Sequence, residues 1–135
     1  MSEYPPRLRQ HIVAVHHPHD KEYCFKLDEL NKLVAICVDD ILICVEDMED
    51  EVYYVHVSDE GVDRGVVYIL EGCMEKVKEG EETVSEEDIR WTIAFPDDAD
   101  ARDFLVCLKR ALMKRGDVKI SDECGLSFSV YPRRK

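Results

Sequence analysis

Apolar positions divide the chain into short alternating segments and one long periodic one. Residues 11–17 (HIVAVHH) alternate weakly and predict a strand, and Tyr23 to Leu27 predicts a second. The run 33–46, LVAICVDDILICVE, reads as a β-hairpin. With Asp39 and Asp40 in a two-residue turn, Val34, Ile36 and Val38 stand opposite Ile41, Ile43 and Val45 on one β-branched face. Ala35, Cys37, Leu42 and Cys44 fill the other face, so both sides of this hairpin are apolar and a second layer is expected to cover one of them.

Further along, 51–58 (EVYYVHVS) predicts a strand with a mixed outer face, in which His56 is an ordinary strand residue. Gly61 and Gly65 break the chain, 66–70 (VVYIL) predicts the next strand, and Cys73 to Lys78 another after a turn at Glu71-Gly72. The acidic stretch 79–88 reads as a solvated connection. RWTIAF at 90–95 alternates strictly, with Trp91, Ile93 and Phe95 inward and Arg90, Thr92 and Ala94 outward, and Pro96 ends it. From about Asp98 to Arg115 the period changes to that of a helix capped by Asp97 or Asp98, with Gly116 as its stop. Its core stripe is Ala101, Phe104, Leu105, Leu108, Ala111 and Leu112. Short strands around Ile120 and Phe128 complete the pattern.

The 135 residues suit one domain, and 45% apolar content supplies its core. Thirty acids against eighteen bases give a net charge of −12, which repels phosphate backbones and argues against nucleic acid. The charge is polarised. Residues 1–108 hold 27 acids and 10 bases, a net of −17, whereas residues 109–135 hold 3 acids and 8 bases, a net of +5. No apolar run approaches the roughly 20 residues that span a bilayer, and the start MSEYPPRLRQ lacks a secretory apolar stretch, so a cytoplasmic protein is expected. The six cysteines sit mostly in periodic apolar segments without C-x-x-C spacing, and read as thiols rather than disulfides or zinc ligands.

Candidate chemistry is sparse. His16, His17 and His19 beside Asp20 form the one dense ligand cluster, but no fourth ligand stands at a recognisable spacing. The acidic clusters 46–51 and 97–103 lack the glycine of a calcium loop, and nothing in their sequence is expected to drive paired carboxylate pKa values apart. No nucleophile elbow, phosphate-binding glycine loop or cysteine-histidine signature is present, so no catalysis, cofactor or metal is expected.

Two surfaces contradict their surroundings. One is the hairpin face holding Cys37 and Leu42; the other is Val106 with Met113, which lie off the helix core stripe among Arg102, Lys109 and Arg110. Apolar groups with a charged rim are the composition of a contact surface.

The series KEYCFKL, LVAICVDDILICVED, RGVVYILEGCMEKVK and RWTIAFPDDADARDFLVCLKRAL resembles the pleckstrin-homology-like fold in its strand order and closing helix. The resemblance implies an α+β protein: a curled antiparallel barrel or sandwich of about seven strands, capped by one C-terminal amphipathic helix. It covers residues 21–116, with 1–20 as an N-terminal extension and 117–135 as a C-terminal extension packing on the domain. It also implies a non-catalytic scaffold, adaptor or cytoskeletal module that docks a protein partner or self-associates. On this reading Val106, Met113, Arg102, Lys109, Arg110, Cys37 and Leu42 form the contact. The alternative is membrane recruitment through phosphoinositide headgroups by Lys26, Lys32 and Arg64. Of the positions matching the family's basic cluster, Lys26, Asn31, Lys32 and Leu33, only two are cationic, and Asp28 and Glu29 offset them.

Overall fold

The computed structural model describes residues 11–17, 21–46, 53–73, 89–115, 117–120 and 127–131; residues 44–46, 53, 54, 72, 73, 117–120 and 131 are described by backbone alone. Among the described residues seven strands form one sheet: β1 (His11–His16), β2 (Lys21–Lys26), β3 (Tyr53–Ser58), β4 (Val66–Cys73), β5 (Ile89–Ala94), β6 (Asp117–Ile120) and β7 (Phe128–Tyr131). Their order is β2-β1-β5-β4-β3-β7-β6. Every neighbouring pair is antiparallel. Two helices complete the α+β architecture, α1 (Leu30–Glu46) and α2 (Asp98–Met113).

Strand alternation decides which side of the sheet is covered. Directly opposed residues share a face, so the register Ala14–Ile93–Val67 and the pairs Ile69–Trp91 and Val57–Phe128 align one apolar surface. Ile12, Ala14, Val55, Val57, Val67, Ile69, Trp91, Ile93, Phe128 and Val130 on that surface are all buried, in one cluster with the inner residues of both helices. The helices pack against each other and onto this face. On the opposite face Val13, Val15, Val66, Tyr68, Leu70 and Thr92 are half-buried.

The segment read as a hairpin is helical. Among its described side chains Leu33, Val34, Cys37, Val38, Ile41 and Leu42 are buried. They recur at i, i+1, i+4, i+5, i+8 and i+9, which at 100° per residue is one half of a helix surface. A two-residue hairpin turn needs positive φ at its first central position, and in the type I′ form at both, which a pair of aspartates without glycine resists. In the helix the same two side chains leave the axis about 100° apart and reach different cations: Asp39 accepts from Arg115 Nη1 at 3.0 Å, Asp40 from Arg90.

Strands also come from residues 11–16, 117–120 and 128–131. β1 lies between β2 and β5, with Ile12 and Ala14 fully buried, so it is an inner strand of the sheet. Its alternation is weak in sequence because outward-facing Val13 and Val15 are apolar as well. β7 pairs with β3 and carries β6 at its outer side, so these strands widen the sheet rather than cover it.

α2 follows its sequence signals. Asp97 is the N-cap, accepting from the Asp100 amide at 3.0 Å, and Ala101, Phe104, Leu105, Leu108 and Leu112 are buried. Before it, the tight turn into β4 uses Gly65 at φ +78°, where its carbonyl accepts from Phe95 N–H at 2.8 Å. A side chain there would meet the Phe95 carbonyl, so glycine is required twice over.

Candidate functional site

The densest polar cluster joins α1 to the sheet. β4 and β5 change register at Ile69/Leu70, so Leu70 pairs with Ile89 while Ile69 pairs with Trp91, and Arg90 is the extra residue of a bulge. A bulge re-aims a side chain. Arg90, expected on the outer face, instead reaches Asp40 of α1: Nε donates to Oδ2 at 2.6 Å and Nη2 to Oδ1 at 2.9 Å. Its Nη1 donates to Glu71 Oε2 at 3.2 Å. Trp91 Nε1 donates to the same Asp40 Oδ2 at 2.7 Å. His16 stacks on Trp91 with ring centres 4.5 Å apart, and its Nε2 stands 3.8 Å from Asp40 Oδ1.

Burial alone would raise the Asp40 pKa, but the hydrogen bonds from Arg90 and Trp91 and the charges of Arg90 and His16 outweigh it and hold the carboxyl below its ordinary range. A carboxylate with three N–H donors has most of its lone pairs occupied. Its chemistry is that of an ionic anchor. His17, next in sequence, bonds Thr92 Oγ1 through Nε2 at 3.1 Å, so the adjacent histidines do not converge. Among the described residues no three histidine, cysteine or carboxylate side chains gather as a metal site; His19 and Asp20 lie outside them.

The second site is the outer face of α2. Val106 is 39% and Met113 58% exposed, one heptad apart. Ala99, one heptad before Val106, is also exposed, as are Arg102, Arg110 and Lys114, while Lys109 is half-buried. Arg102 pairs with Asp98 across one helical turn at 2.5 Å. The proposed contact residues Cys37 and Leu42 are not part of any surface. Cys37 is fully buried and Leu42 8% exposed, because helical geometry turns both inward. Burial, followed by the nearby Asp40 charge, pushes the Cys37 thiol pKa up, which leaves it a core group. Among the described side chains of α1 the exposed large apolar ones are instead Ile36 and Ile43, which a helical reading of the same run would have placed seven positions apart on the outer side.

The alternative lipid residues do not converge. Lys32 Nζ donates to Glu29 Oε2 at 2.9 Å, which raises the lysine pKa. The Lys26 amide bonds Glu29 Oε1 at 3.0 Å, and this bond together with that from Lys32 lowers the Glu29 pKa. Lys26 ends β2 and Arg64 precedes β4, which lies three strands across the sheet, roughly 14 Å at the usual strand spacing. In the acidic cluster 97–103, partial burial first and then Asp97 and Asp103 hold Asp100 above the ordinary carboxylate range, an asymmetry its sequence did not suggest. The clusters 47–51, the connection 79–88 and Arg133, Arg134 and Lys135 lie outside the described residues, as does the strand expected after Cys73.

Among the described residues no helix is long and apolar enough to cross a membrane. No protein family, no curated protein and no solved structure matches the chain.

Proposed function

We propose that this chain is a non-catalytic scaffold or adaptor module that presents the outer face of α2 to an acidic segment of another protein. The observation that carries this reading is the exposure of Val106 and Met113 on a helix whose surrounding charges are largely basic. A solvated helix face gains nothing from a valine and a methionine one heptad apart. As the apolar centre of a charged rim, the pair supplies contact area while the exposed Arg110 and Lys114 select negative charge, flanked by Lys109 and by Arg102 in its pair with Asp98. The acidic remainder of the molecule repels the same partner elsewhere, so the basic helix end fixes the approach. The pleckstrin-homology-like reading enters through β5 and α2, the strand and helix that close such modules, whereas the segment standing for its second and third strands is helical. The docking proposal therefore rests on the α2 surface rather than on the family. No observation favours the phosphoinositide alternative.

The test places a photo-crosslinking amino acid at Arg110 and, as a control, at Arg64 in the native cell. The expected result is a hetero-crosslink at position 110 alone, to an acid-rich peptide, lost when Val106 and Met113 are both replaced by glutamate. Because both side chains are exposed, the double variant should melt within a few degrees of the parent. Crosslinks of equal yield at Arg64, a homodimer alone, or a basic peptide would each overturn the proposal.

A further inference from the structure

The cluster that fastens α1 contains one group able to change charge near neutrality. Ordinary imidazole titrates near pH 6.5, and His16 leaves β1 on the helix-covered side, with its side chain 18% exposed. Among the described residues the charged groups around it come from four elements: Asp40 of α1, Arg90 of β5, Glu71 of β4, and Lys21 of β2, the residue directly opposite His16 across the β1–β2 pair. With the imidazole neutral, those four charges cancel.

The lone pairs of Asp40 decide what a proton on His16 would do. A carboxylate oxygen has two acceptor directions. Oδ2 uses both, for Arg90 Nε and Trp91 Nε1, whereas Oδ1 accepts from Arg90 Nη2 alone. His16 Nε2 stands at that less occupied oxygen, 3.8 Å away and beyond hydrogen-bond range. A neutral ring gains little by moving closer. An imidazolium has an N–H and a positive charge to bring to Oδ1, and the Arg90 charge that opposes it is already shared between Asp40 and Glu71.

We infer that His16 is a proton-operated clasp: its protonation closes an ion pair between β1 and the middle of α1 and tightens the seat of that helix on the sheet. The ring stack makes the event visible. Trp91 is the sole tryptophan of the chain, and a protonated imidazole stacked on indole quenches its emission where a neutral one does so weakly.

Thermal melts of the full chain, His16→Gln, Asp40→Asn and the double variant at pH 8 and pH 5.5 test the inference, together with tryptophan emission across the same interval. Between pH 8 and pH 5.5 the parent should gain about 4 °C in Tm relative to His16→Gln, and the gain should vanish in the Asp40→Asn background. Emission of the parent should fall on acidification through one reversible transition that His16→Gln abolishes. Equal pH dependence of parent and His16→Gln overturns the inference, as does a gain that survives Asp40→Asn or an emission trace unchanged by His16→Gln. If Asp40→Asn does not fold, the comparison of parent with His16→Gln and the emission trace decide it.

Discussion

The two helices lie on one face of one sheet, yet they hold their places by different means. α2 is amphipathic: it has an aspartate N-cap, a narrow buried stripe and a mainly charged outer side. α1 buries half of its circumference, exposes Ile36 and Ile43 on the other half, and carries an aspartate pair in its centre where helix propensity is poor. Each aspartate is bound to a residue distant in sequence, Arg115 of the α2 end or Arg90 of β5. Local signals suffice to start and orient α2. α1 is oriented by tertiary contacts, as expected when packing overrides a run of β-branched residues.

The largest expected effect asks whether the two helices are nonetheless equal members of the core. Ile41 of α1 and Leu108 of α2 are both fully buried. Replacing either with alanine should cost about 2–5 kcal/mol, since the lost transfer energy and the residual cavity add. Denaturant unfolding of the two variants should give similar losses. A loss below about 1 kcal/mol for Ile41→Ala alone would mean that α1 is peripheral.

The aspartate pair sharpens the contrast. Asp40 has a side chain 19% exposed, and its removal takes the acceptor from Arg90 Nε and Nη2 and from the Trp91 N–H in a part-buried setting, leaving Arg90 its bond to Glu71. Asp40→Ala is therefore expected to cost about 2–3 kcal/mol. Asp39, whose side chain is 63% exposed, pairs with an equally accessible Arg115, and Asp39→Ala should cost no more than about 1 kcal/mol. Acid titration adds a sign. The folded pKa of Asp40 is depressed, so its contribution is complete above the ordinary aspartate pKa of about 3.9 and is lost as pH falls through the folded value. The parent should therefore lose stability more steeply than Asp40→Ala below about pH 4; parallel acid limbs would show that Asp40 is not held ionised. This window lies below that of His16, whose protonation acts in the opposite direction.

Most of what was legible in the sequence was local. The cap at Asp97, the stripe Ala101 to Leu112 and the inward set Trp91, Ile93 and Phe95 follow from period and turn chemistry within a few residues, and all stand where the pattern puts them, with Ala111 only partly buried. α1 reads as a hairpin because Val34, Ile36 and Val38 satisfy an alternation, although in the helix Ile36 is the exposed member of the three, and because the central aspartates mimic a turn. Spacing of the buried pairs LV, CV and IL at four-residue intervals was the signal that could have decided it. The Asp40 anchor was not legible. Its partners lie 50 residues away, and Arg90 meets it only through a register shift that the strict alternation of 90–95 conceals. Val106 and Met113, by contrast, are exposed as their position off the stripe predicts.

The smallest effect separates the two helix starts. α2 begins with a side chain that accepts from an otherwise orphaned amide, Asp97 to Asp100 N–H, and such a cap contributes about 1 kcal/mol. α1 is preceded by a single 3-10 turn, Leu27–Glu29, in which the Glu29 carboxylate accepts from the Lys26 amide and from Lys32 in an exposed setting. Those bonds compete with water and should contribute less than the α2 cap. Asp97→Ala is thus expected to lower stability by about 1 kcal/mol and Glu29→Ala to shift it less, each read from the urea midpoint at unchanged slope. If Glu29→Ala proved the costlier, the start of α1 would be set locally after all. The distinction between a helix specified by its own ends and one specified by its neighbours would then fail at its most sensitive point.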